Sequence, residues 1–333
     1  MQLQFSFVIT VYNRPDEIKE LLDSFLKVEG HENFEIVIVE DGSTISSEEI
    51  VKGYKDLLDI SYYLKPNSGP GDSRNFGMKI AKGNYFIILD SDCILPEHYF
   101  TTVSHFLQQH FTDCFGGADA AHPSFSTLQK AINYTMTSFL TTGGIRGKSK
   151  SVQKFEPRSF NMGISQKAFE ATGGFSKIHP GEDPDLSQRI LKAGFETLFI
   201  PNAYVFHKRR ISWKKFYTQV KKFGLVRPIL NTWHPHSAKI TFWFPTFFVV
   251  FVLLSCLLAI FISPFFIAPL ISYLLLIFLE SSIRNKNIMV GALSIIAVFI
   301  QFFGYGMAFL KSTFYIRMLK KNPQEQFPQL FFE

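Results

Sequence analysis

Two aspartates follow an apolar run in the first third of the chain. The run covers residues 85–89, and Asp90 and Asp92 come directly after it with Ser91 between them. Carboxylates at alternate strand positions point to opposite faces, so both can reach one ion only where the strand ends and the backbone turns away. Mg²⁺ and Mn²⁺ prefer oxygen ligands and complete their coordination with water and phosphate oxygens. The pattern therefore indicates a divalent-cation site beside a phosphate, and a solvated turn is the alternative.

Short apolar runs alternate with helical patterns in the residues around this pair. The predicted strands are 5–11, 34–39, 60–64 and 85–89, and helices are predicted from Pro15, from Ser47 to about residue 58, and over 72–81. This alternation predicts an α/β domain with a parallel, doubly wound sheet. In such sheets ligands bind at the carboxyl ends of the strands. The polar segments that follow the strands are therefore expected to meet at one edge: 10–13, 40–43, 67–71 and 90–92.

These segments match, in order and at similar spacing, the motifs of inverting, family 2-type glycosyltransferases with the GT-A fold. The chain resembles that family over residues 5 to about 225, through the stretches 7–14, 38–43, 67–77 and 90–92. The resemblance implies a Rossmann-like, mostly parallel sheet that binds a nucleotide-sugar donor. Glu40 stands where the family usually has an aspartate.

The resemblance also implies roles for individual residues of the donor side. Asp41 would hold the base or ribose, and Arg74 would meet the diphosphate or base, with a helix-surface charge as its alternative. The implied nucleotide-binding residues are Thr10, Tyr12, Asn13, Asp41, Arg74 and Asp90. The implied ligands of Mg²⁺ or Mn²⁺ are Asp92, Asp90 and His207, although a strand-capping histidine is an equal alternative for His207. The metal would act as a Lewis acid toward the departing diphosphate.

A second acidic pair, Glu182-Asp183, resembles the family's Glu-Asp motif at the start of a helix. By that resemblance Asp183 is the base that takes a proton from the attacking hydroxyl, and Glu182 orients the acceptor. Asp185 is expected only to complement the helix dipole. Residues implied to touch the donor sugar or the acceptor are Asp119, Arg158, Asn161 and Arg189, with a structural turn as the alternative for 157–163.

Charged residues disappear from 242–279 and from 288–310. These stretches predict transmembrane helices at about 241–262, 264–283 and 288–310, with buried helices of a soluble protein as the alternative. One of these stretches could instead be re-entrant, and the sequence does not decide on which side of the membrane the basic tail lies. Basic residues surround the membrane part and suit an anionic lipid face: Lys208, Arg209, Arg210, Lys214, Lys215, Lys221, Lys222, Arg284, Lys286, Arg317, Lys320 and Lys321. No nucleic-acid recognition motif accompanies this charge.

Apolar residues at helical spacing predict an amphipathic helix over 211–225 that lies on the bilayer. The three cysteines show no metal-binding spacing and predict neither a disulfide nor a zinc site. Because the first residues lead directly into a strand and not into a signal peptide, the catalytic domain is expected in the cytosol, on a multi-pass protein of the inner membrane.

The predicted organisation is a GT-A domain at 1–225, with a nucleotide half at 1–95, an acceptor half at 96–210 and the interface helix at 211–225. Transmembrane helices would follow at 240–311, and a basic tail at 312–333. The predicted function is transfer of a single sugar from a nucleotide-diphosphate sugar, with UDP expected, to a hydroxyl of a lipid-linked saccharide in cell-envelope polysaccharide or glycolipid synthesis.

Three alternative functions stay open at this point. A polyprenyl-phosphate sugar synthase needs no base, because its acceptor is already ionised, so Glu182-Asp183 counts against it. A processive synthase is disfavoured because Gln219-Val-Lys-Lys-Phe223 replaces the family's Gln-x-x-Arg-Trp motif. An inactive membrane scaffold would be expected to have lost acidic residues that are all present.

Overall fold

The computed structural model describes residues 2–120, 125–143, 155–207 and 212–332. They fall into two units: one comprises Met1–His122, Lys148–His207 and Phe331–Glu333, and the other comprises Pro123–Gly147 and Lys208–Leu330. The insertion at 123–147, inside the predicted acceptor half, is thus grouped with the C-terminal helices. The basic residues predicted at 208–210 lie outside the described residues, and the domain limits predicted from the sequence stay predictions.

The first unit is built on an eight-stranded sheet. Its strands are β1 (Phe5–Val11), β2 (Phe34–Asp41), β3 (Ile60–Lys65), β4 (Tyr85–Asp90), β5 (Cys93–Ile94), β6 (Cys114–Ala120), β7 (Asn161–Ser165) and β8 (Thr197–His207). The order is β3-β2-β1-β4-β7-β6-β8-β5, and β7 runs antiparallel to both of its neighbours. The first four strands pair in parallel, which confirms the predicted mostly parallel α/β sheet.

Helices flank this sheet and connect its strands. They are α1 (Pro15–Phe25), α2 (Glu48–Lys52), α3 (Pro70–Ile80), α4 (Tyr99–Gln109), α7 (Gln166–Thr172) and α8 (Glu182–Lys192). Helices α5 (Thr127–Thr137) and α6 (Phe139–Thr142) belong to the other unit. Helix α2 is shorter than predicted: the chain turns from Gly53 onward, where glycine weakens a helix.

The register of the parallel strands brings their carboxyl ends together. Thr10 on β1 pairs with Asp90 on β4, and Val11 pairs with Glu40 on β2. The residues of β1, β2 and β4 before their carboxyl ends are mostly apolar and buried on both faces, as expected where helices cover both sides of a sheet. The polar segments after the strands therefore share one edge, as the alternating pattern predicts.

The second unit is helical. Its helices are α5 (Thr127–Thr137), α6 (Phe139–Thr142), α9 (Trp213–Trp233), α10 (Phe244–Phe261), α11 (Ala268–Asn285), α12 (Ile288–Ser312) and α13 (Pro323–Gln326). Among the described residues, three segments are long and apolar enough to cross a membrane: Ile240–Phe261, Pro264–Asn285 and Ile288–Met318. They coincide with the three predicted transmembrane helices, and the third is longer because α12 continues into a π-helical turn.

Helix α9 differs from its prediction in length and in what its apolar face meets. It extends to Trp233, beyond the predicted end at residue 225. A Cβ at Gly224 would collide with the Tyr305 carbonyl of α12, and one at Gly304 would collide with Val220. Glycines on both helices thus let the backbones approach closely, and the face predicted to lie on the bilayer packs against α12.

The insertion α5–α6 is held to α11 by a carboxylate. Glu280 of α11 accepts hydrogen bonds from Tyr134 (2.6 Å) and Ser138 (2.9 Å), and it pairs with Arg284 (3.1 Å). The Tyr273 hydroxyl of α11 donates to the Leu140 carbonyl at 3.0 Å. These bonds satisfy polar groups of a segment that lies between β6 and β7 in the sequence, and they explain its place in the helical unit.

Candidate functional site

A buried guanidinium connects the strand-end acids with the acids at the start of α8. Arg74 of α3 is 4% exposed, and its two terminal nitrogens donate to Asp90 (2.8 Å) and to Glu182 (3.0 Å). The ring of Phe175 lies 5.2 Å from the guanidinium carbon. This burial excludes the helix-surface alternative for Arg74. One cation therefore joins two acids that lie far apart in the sequence.

Two side chains, Arg74 and His179, contact the same carboxylate oxygen of Glu182. Arg74 and the His179 imidazole (3.0 Å) both contact Oε1, whereas Oε2 is buried and has no hydrogen-bond partner within the described residues. Burial would raise the pKa of Glu182, but His179 and Arg74 outweigh it and lower this pKa to about 2. Glu182 is therefore a carboxylate held in one position, and its Oε2 can accept a hydrogen bond from a ligand.

Asp183 has different surroundings from its neighbour. Burial raises its pKa above the ordinary value, Arg158 opposes that rise, and the Glu182 carboxylate adds to it. The Arg158 guanidinium lies 3.9 Å from Asp183 Oδ2. Two adjacent carboxyl groups thus have pKa values displaced in opposite directions, which is the arrangement expected when one acid binds and the other accepts a proton.

The strand-end acids Asp90 and Asp92, which follow the body of β4, lie beside His207 at the end of β8. Nε2 of His207 is 3.1 Å from Asp92 and 3.9 Å from Asp90, and Nδ1 is 3.9 Å from Asp119. Burial would lower the pKa of His207, but Asp92, Asp119 and Asp90 outweigh it and raise this pKa. The structure thus brings all three predicted metal ligands together, and the carboxylates with an imidazole form a donor set that suits Mn²⁺ or Mg²⁺.

Two further groups surround these ligands. Arg14, at the start of α1, makes a close ion pair with Asp92. The thiol of Cys93 also lies within 4.8 Å of the Asp92 and His207 donor atoms. This thiol is fully buried, it donates to the Phe160 carbonyl at 3.4 Å, and burial raises its pKa well above the ordinary value. The oxygen and nitrogen donors therefore fit a hard cation better than Cys93 does.

Asp41 anchors the glycine-rich loop that precedes α3. Its carboxylate accepts hydrogen bonds from the backbone N–H groups of Ser68 and Gly69, both at 3.0 Å. Lys65 lies 3.4 Å from Asp41 and 3.0 Å from Asp72. Asp41 thus shapes the loop predicted to hold the nucleotide, and its own contact with a base or ribose stays a prediction.

The loops after β1 and β2 are tied together by the predicted residue Asn13. Its Oδ1 accepts from the backbone N–H groups of Thr44 (2.8 Å) and Ile45 (3.0 Å), and its own φ is +52°. Thr10, the next-to-last residue of β1, pairs with Asp90, and Tyr12 is 51% exposed at the same edge. Tyr12 is therefore the aromatic ring of this group that is available to a ligand.

Two other predicted contact residues are engaged inside the protein. Asn161 is fully buried, accepts from the Tyr99 hydroxyl (2.6 Å) and donates to the Ala203 carbonyl (2.8 Å). Arg189 pairs with Asp185 at 2.8 Å and donates to the carbonyls of Thr172 and Gly174, both at 2.6 Å. Both side chains support the structure around the site, and a sugar contact stays a prediction for each.

Residues 6–172 match the family model described as Glycosyl transferase family 2, which covers half of the chain. The chain belongs to this family. The strand-end motifs lie within the matched range, whereas Glu182 and Asp183 lie beyond it. The family resemblance read from the sequence is thus confirmed, and the acids of α8 are connected to the matched region through Arg74.

Two curated relatives of this chain come from Staphylococcus aureus and Bacillus subtilis. The poly(ribitol-phosphate) beta-N-acetylglucosaminyltransferase TarS of Staphylococcus aureus (strain Mu50 / ATCC 700699) is 33% identical over 114 residues, which is 33% of this chain and 20% of TarS. The minor teichoic acid biosynthesis protein GgaB of Bacillus subtilis (strain 168) is 34% identical over 109 residues, which is 32% of this chain and 12% of GgaB. The match spans only a small part of either relative.

Solved structures show the same fold. The mannosyltransferase PcManGT from Pyrobaculum calidifontis, in complex with GDP-Man and Mn²⁺, has a TM-score of 0.56 at 14% identity, with 97% of this chain and 89% of that chain covered. Residues 1–349 of TarS, in complex with UDP-GlcNAc, have a TM-score of 0.51 at 16% identity, with 95% and 92% covered. The GT-A fold predicted for this glycosyltransferase is confirmed.

Four residues at the candidate site were given no individual role from the sequence: Arg14, Glu40, Lys65 and His179. Glu40 is buried and accepts hydrogen bonds from the Ser47 amide (2.9 Å) and the Tyr62 hydroxyl (3.1 Å). The longer side chain of glutamate thus holds the start of α2, which explains the departure from the usual aspartate. Arg14 and Glu40 lie in the stretches 7–14 and 38–43 that carry the family resemblance, whereas no sequence signal pointed to Lys65 or His179.

The charges around Asp183 give a prediction with a definite sign. Replacing Arg158 with glutamine removes the cation that lowers the Asp183 pKa, so this pKa should rise further. A base works only when deprotonated, so the acidic limb of the kcat/KM profile should move to higher pH. The measurement is kcat/KM across pH for wild type and Arg158→Gln, with Lys192→Gln at the exposed far end of α8 as the control. A limb that stays in place or moves to lower pH would contradict this assignment.

Proposed function

We propose that this glycosyltransferase is metal-dependent and inverting. It moves a single sugar from a nucleotide-diphosphate sugar, for which we propose UDP as the nucleotide, to a hydroxyl of a lipid-linked saccharide at a membrane. The proposed setting is cell-envelope polysaccharide or glycolipid synthesis. The observation that carries the proposal is the pair of acid clusters, Asp90 with Asp92 and Glu182 with Asp183, that the buried Arg74 holds together.

The α8 acids support the proposed base. A hydroxyl nucleophile must lose its proton as it attacks the anomeric carbon, on the face opposite the bond to the departing diphosphate. Burial and the neighbouring Glu182 raise the pKa of Asp183 above its ordinary value, which makes this carboxylate a stronger proton acceptor. Oε2 of Glu182 is buried without a hydrogen-bond partner in the part of the chain that the structure describes, so it can accept a hydrogen bond from an acceptor hydroxyl. In this reaction the hydroxyl proton passes to Asp183, the new glycosidic bond forms, and the sugar–phosphate bond breaks.

The strand-end acids support the proposed donor site. Asp92, Asp90 and His207 would hold Mn²⁺ or Mg²⁺, which supplies Lewis-acid stabilisation of the leaving diphosphate when bound. Arg14 and Arg74 lie beside these acids and add positive charge where phosphate oxygens would bind. PcManGT was solved with a nucleotide sugar and Mn²⁺, and TarS with UDP-GlcNAc, which supports the same ligand classes here.

The helical unit supports the proposed acceptor. Three helices are long and apolar enough to cross a membrane, and basic residues flank them. The curated relatives are named for poly(ribitol-phosphate) and teichoic acid synthesis, which are cell-envelope polymers. A lipid-linked saccharide combines both observations. We call the first unit, which carries the eight-stranded sheet, the catalytic unit. We also propose that it lies on the cytosolic side of the membrane, where nucleotide sugars are available.

The proposed function is tested by nucleotide diphosphate release. Purified protein in detergent is incubated with a panel of UDP-, GDP- and dTDP-sugars, with Mn²⁺ or Mg²⁺ and with a membrane lipid extract as the source of acceptor. Consumption of one donor, with a product whose anomeric configuration is inverted by NMR, supports the proposal. Absence of release and of nucleotide binding with either metal would overturn it in favour of the inactive scaffold.

Asp92 provides a prediction specific to the metal. Replacing Asp92 with asparagine is expected to lower kcat/KM by about 10²- to 10³-fold, because several kcal/mol of charge stabilisation depend on the metal. UDP binding should also lose its dependence on Mn²⁺. The measurement is UDP titration by calorimetry with and without Mn²⁺, with the exposed Asp56→Asn as the control. Metal-dependent binding of normal strength in Asp92→Asn would exclude this metal site.

A further inference from the structure

The segment Phe331–Phe332 forms an isolated β-bridge with the loop that leads to α8. Phe331 forms an antiparallel bridge with Ile178, and the Phe332 N–H donates to the Lys177 carbonyl at 3.0 Å. Ile178 is 1% exposed, so the loop backbone is buried where this pairing occurs. The chain thus returns to the catalytic unit at residue 331 after the whole helical unit. We call residues 175–181 the acceptor loop.

The aromatic ring of Phe332 lies directly on Gly69, in the glycine-rich loop before α3. A Cβ at Gly69 would collide with three carbons of this ring, so glycine leaves the space that the ring occupies. Gly69 also has a φ of +90°, and its N–H donates to Asp41. One side of the Phe332 ring therefore contacts the loop proposed to hold the nucleotide.

The same ring reaches the acceptor loop. Its centroid is 6.1 Å from that of His179, at a tilt of 56°. His179 in turn contacts Oε1 of Glu182 at 3.0 Å, the oxygen that also accepts from Arg74. A single phenylalanine thus lies between Gly69 on the donor side and the histidine that fixes Glu182.

The acceptor loop has two other attachments, one at each of its ends. At its start, the Asn75 side chain donates to the Phe175 carbonyl and accepts from the Phe175 N–H, both at 2.8 Å. At its end, Arg74 and His179 hold Glu182. The bridge and hydrogen bond made by Phe331 and Phe332 hold the middle, at residues 177 and 178. Without them, the backbone that carries His179 toward Glu182 would lose its central support.

We propose that Phe332 is a positioning residue for sugar transfer. Its ring and backbone hold the acceptor loop against the glycine-rich loop that precedes α3. They thereby position His179 and Glu182 for the acceptor hydroxyl. The proposal rests on the proposed function, because it assigns Glu182 to the acceptor. It extends the site beyond the family's matched region to a segment that follows all three apolar helices.

Three variants test this role: Phe332→Ala, the conservative Phe332→Tyr, and Phe314→Ala as a matched control. Phe314 is a half-exposed phenylalanine of the helical unit. Hydrogen–deuterium exchange over 176–181 reports the acceptor loop without any need for activity. UDP affinity in Mn²⁺ reports the donor site, and transfer rates at varied amounts of membrane lipid extract separate kcat from the acceptor KM.

We expect Phe332→Ala to speed exchange at 176–181 and to lower kcat/KM for the acceptor by roughly 10- to 100-fold, because a small misplacement of a positioning group has effects of this size. UDP affinity should change by less than about threefold, and Phe332→Tyr should restore both exchange and rate. Unchanged exchange and rate in Phe332→Ala, or a higher rate, would overturn the proposal. If the wild type consumes no donor, the proposed function fails, and the exchange measurement still decides whether Phe332 orders the loop.

Discussion

Replacement of Asp183 by asparagine is expected to lower kcat by about 10²- to 10⁴-fold, the range that general-base catalysis supplies. Asparagine has nearly the same shape but cannot accept the hydroxyl proton. Donor binding should be retained, because the strand-end acids and Arg74 do not depend on the charge of Asp183 for their contacts. The effect should therefore appear in kcat and not in the affinity for UDP.

The environment of Asp183 is the reason for expecting so large an effect. Burial and the adjacent Glu182 carboxylate raise its pKa, which makes it a better proton acceptor than an exposed aspartate. Glu182 cannot replace it, because Arg74 and His179 hold the pKa of Glu182 at about 2. A carboxylate with such a low pKa binds protons weakly and serves to orient a ligand.

The matched control is Asp185→Asn, in the same first turn of α8. Asp185 pairs with Arg189 at 2.8 Å and is buried, so this variant should lower the melting temperature and leave kcat per folded molecule nearly unchanged. Initial rates, UDP titrations and melting curves are measured for both variants. If Asp183→Asn retains more than about a tenth of wild-type kcat, the assignment of the base is wrong.

Replacement of Arg74 by leucine is expected to lower the free energy of unfolding by about 3–5 kcal/mol, the usual effect of removing one partner from a buried ion pair. Glu182 would be left buried beside a leucine, and Asp90 would lose its partner at 2.8 Å. Both the metal-binding strand end and the start of α8 should become less ordered. Activity should be lost together with stability.

The design separates lost charge from lost packing. Arg74→Lys keeps the charge but loses the planar fork that reaches two carboxylates, so its effect should be intermediate. The double variant Arg74→Leu/Glu182→Gln removes the uncompensated charge and should melt at a higher temperature than Arg74→Leu alone. Thermal unfolding of the catalytic unit in detergent, followed by near-ultraviolet circular dichroism, checks both. A melting temperature for Arg74→Leu equal to that of the wild type would show that this buried bridge does not form.

The pH dependence of stability has a definite sign in this region. The pKa of Glu182 is about 2 in the folded chain against an ordinary value of 4.5. A lowered pKa stabilises the folded chain at every pH above the ordinary pKa of 4.5. This contribution is lost as the pH falls from about 4.5 through about 2. The loss should be smaller in Arg74→Leu, since part of the cause of the shift is absent.

The sequence determined the elements that depend on local patterns. Alternating apolar and polar runs specify strands and helices, and glycine or acidic residues at strand ends specify turns. Because parallel strands place their carboxyl ends at one edge, the sequence also predicted that Asp41, Asp90 and Asp92 share that edge. Long uncharged stretches predicted three apolar helices in the same direct way.

The tertiary structure decided which charges meet across long distances in the sequence. The pairing of Arg74 with Asp90 and Glu182, the contact of Arg14 with Asp92, and the return of Phe332 to Gly69 have no local signature. The structure also turned Asn161 and Arg189 toward internal partners and buried one face of α9 against α12. These outcomes depend on strand order, on the antiparallel β7 and on the packing of distant segments. The spacing of apolar residues along a helix or strand determines which of its faces is buried. Only the folded chain determines which other segment packs against that face.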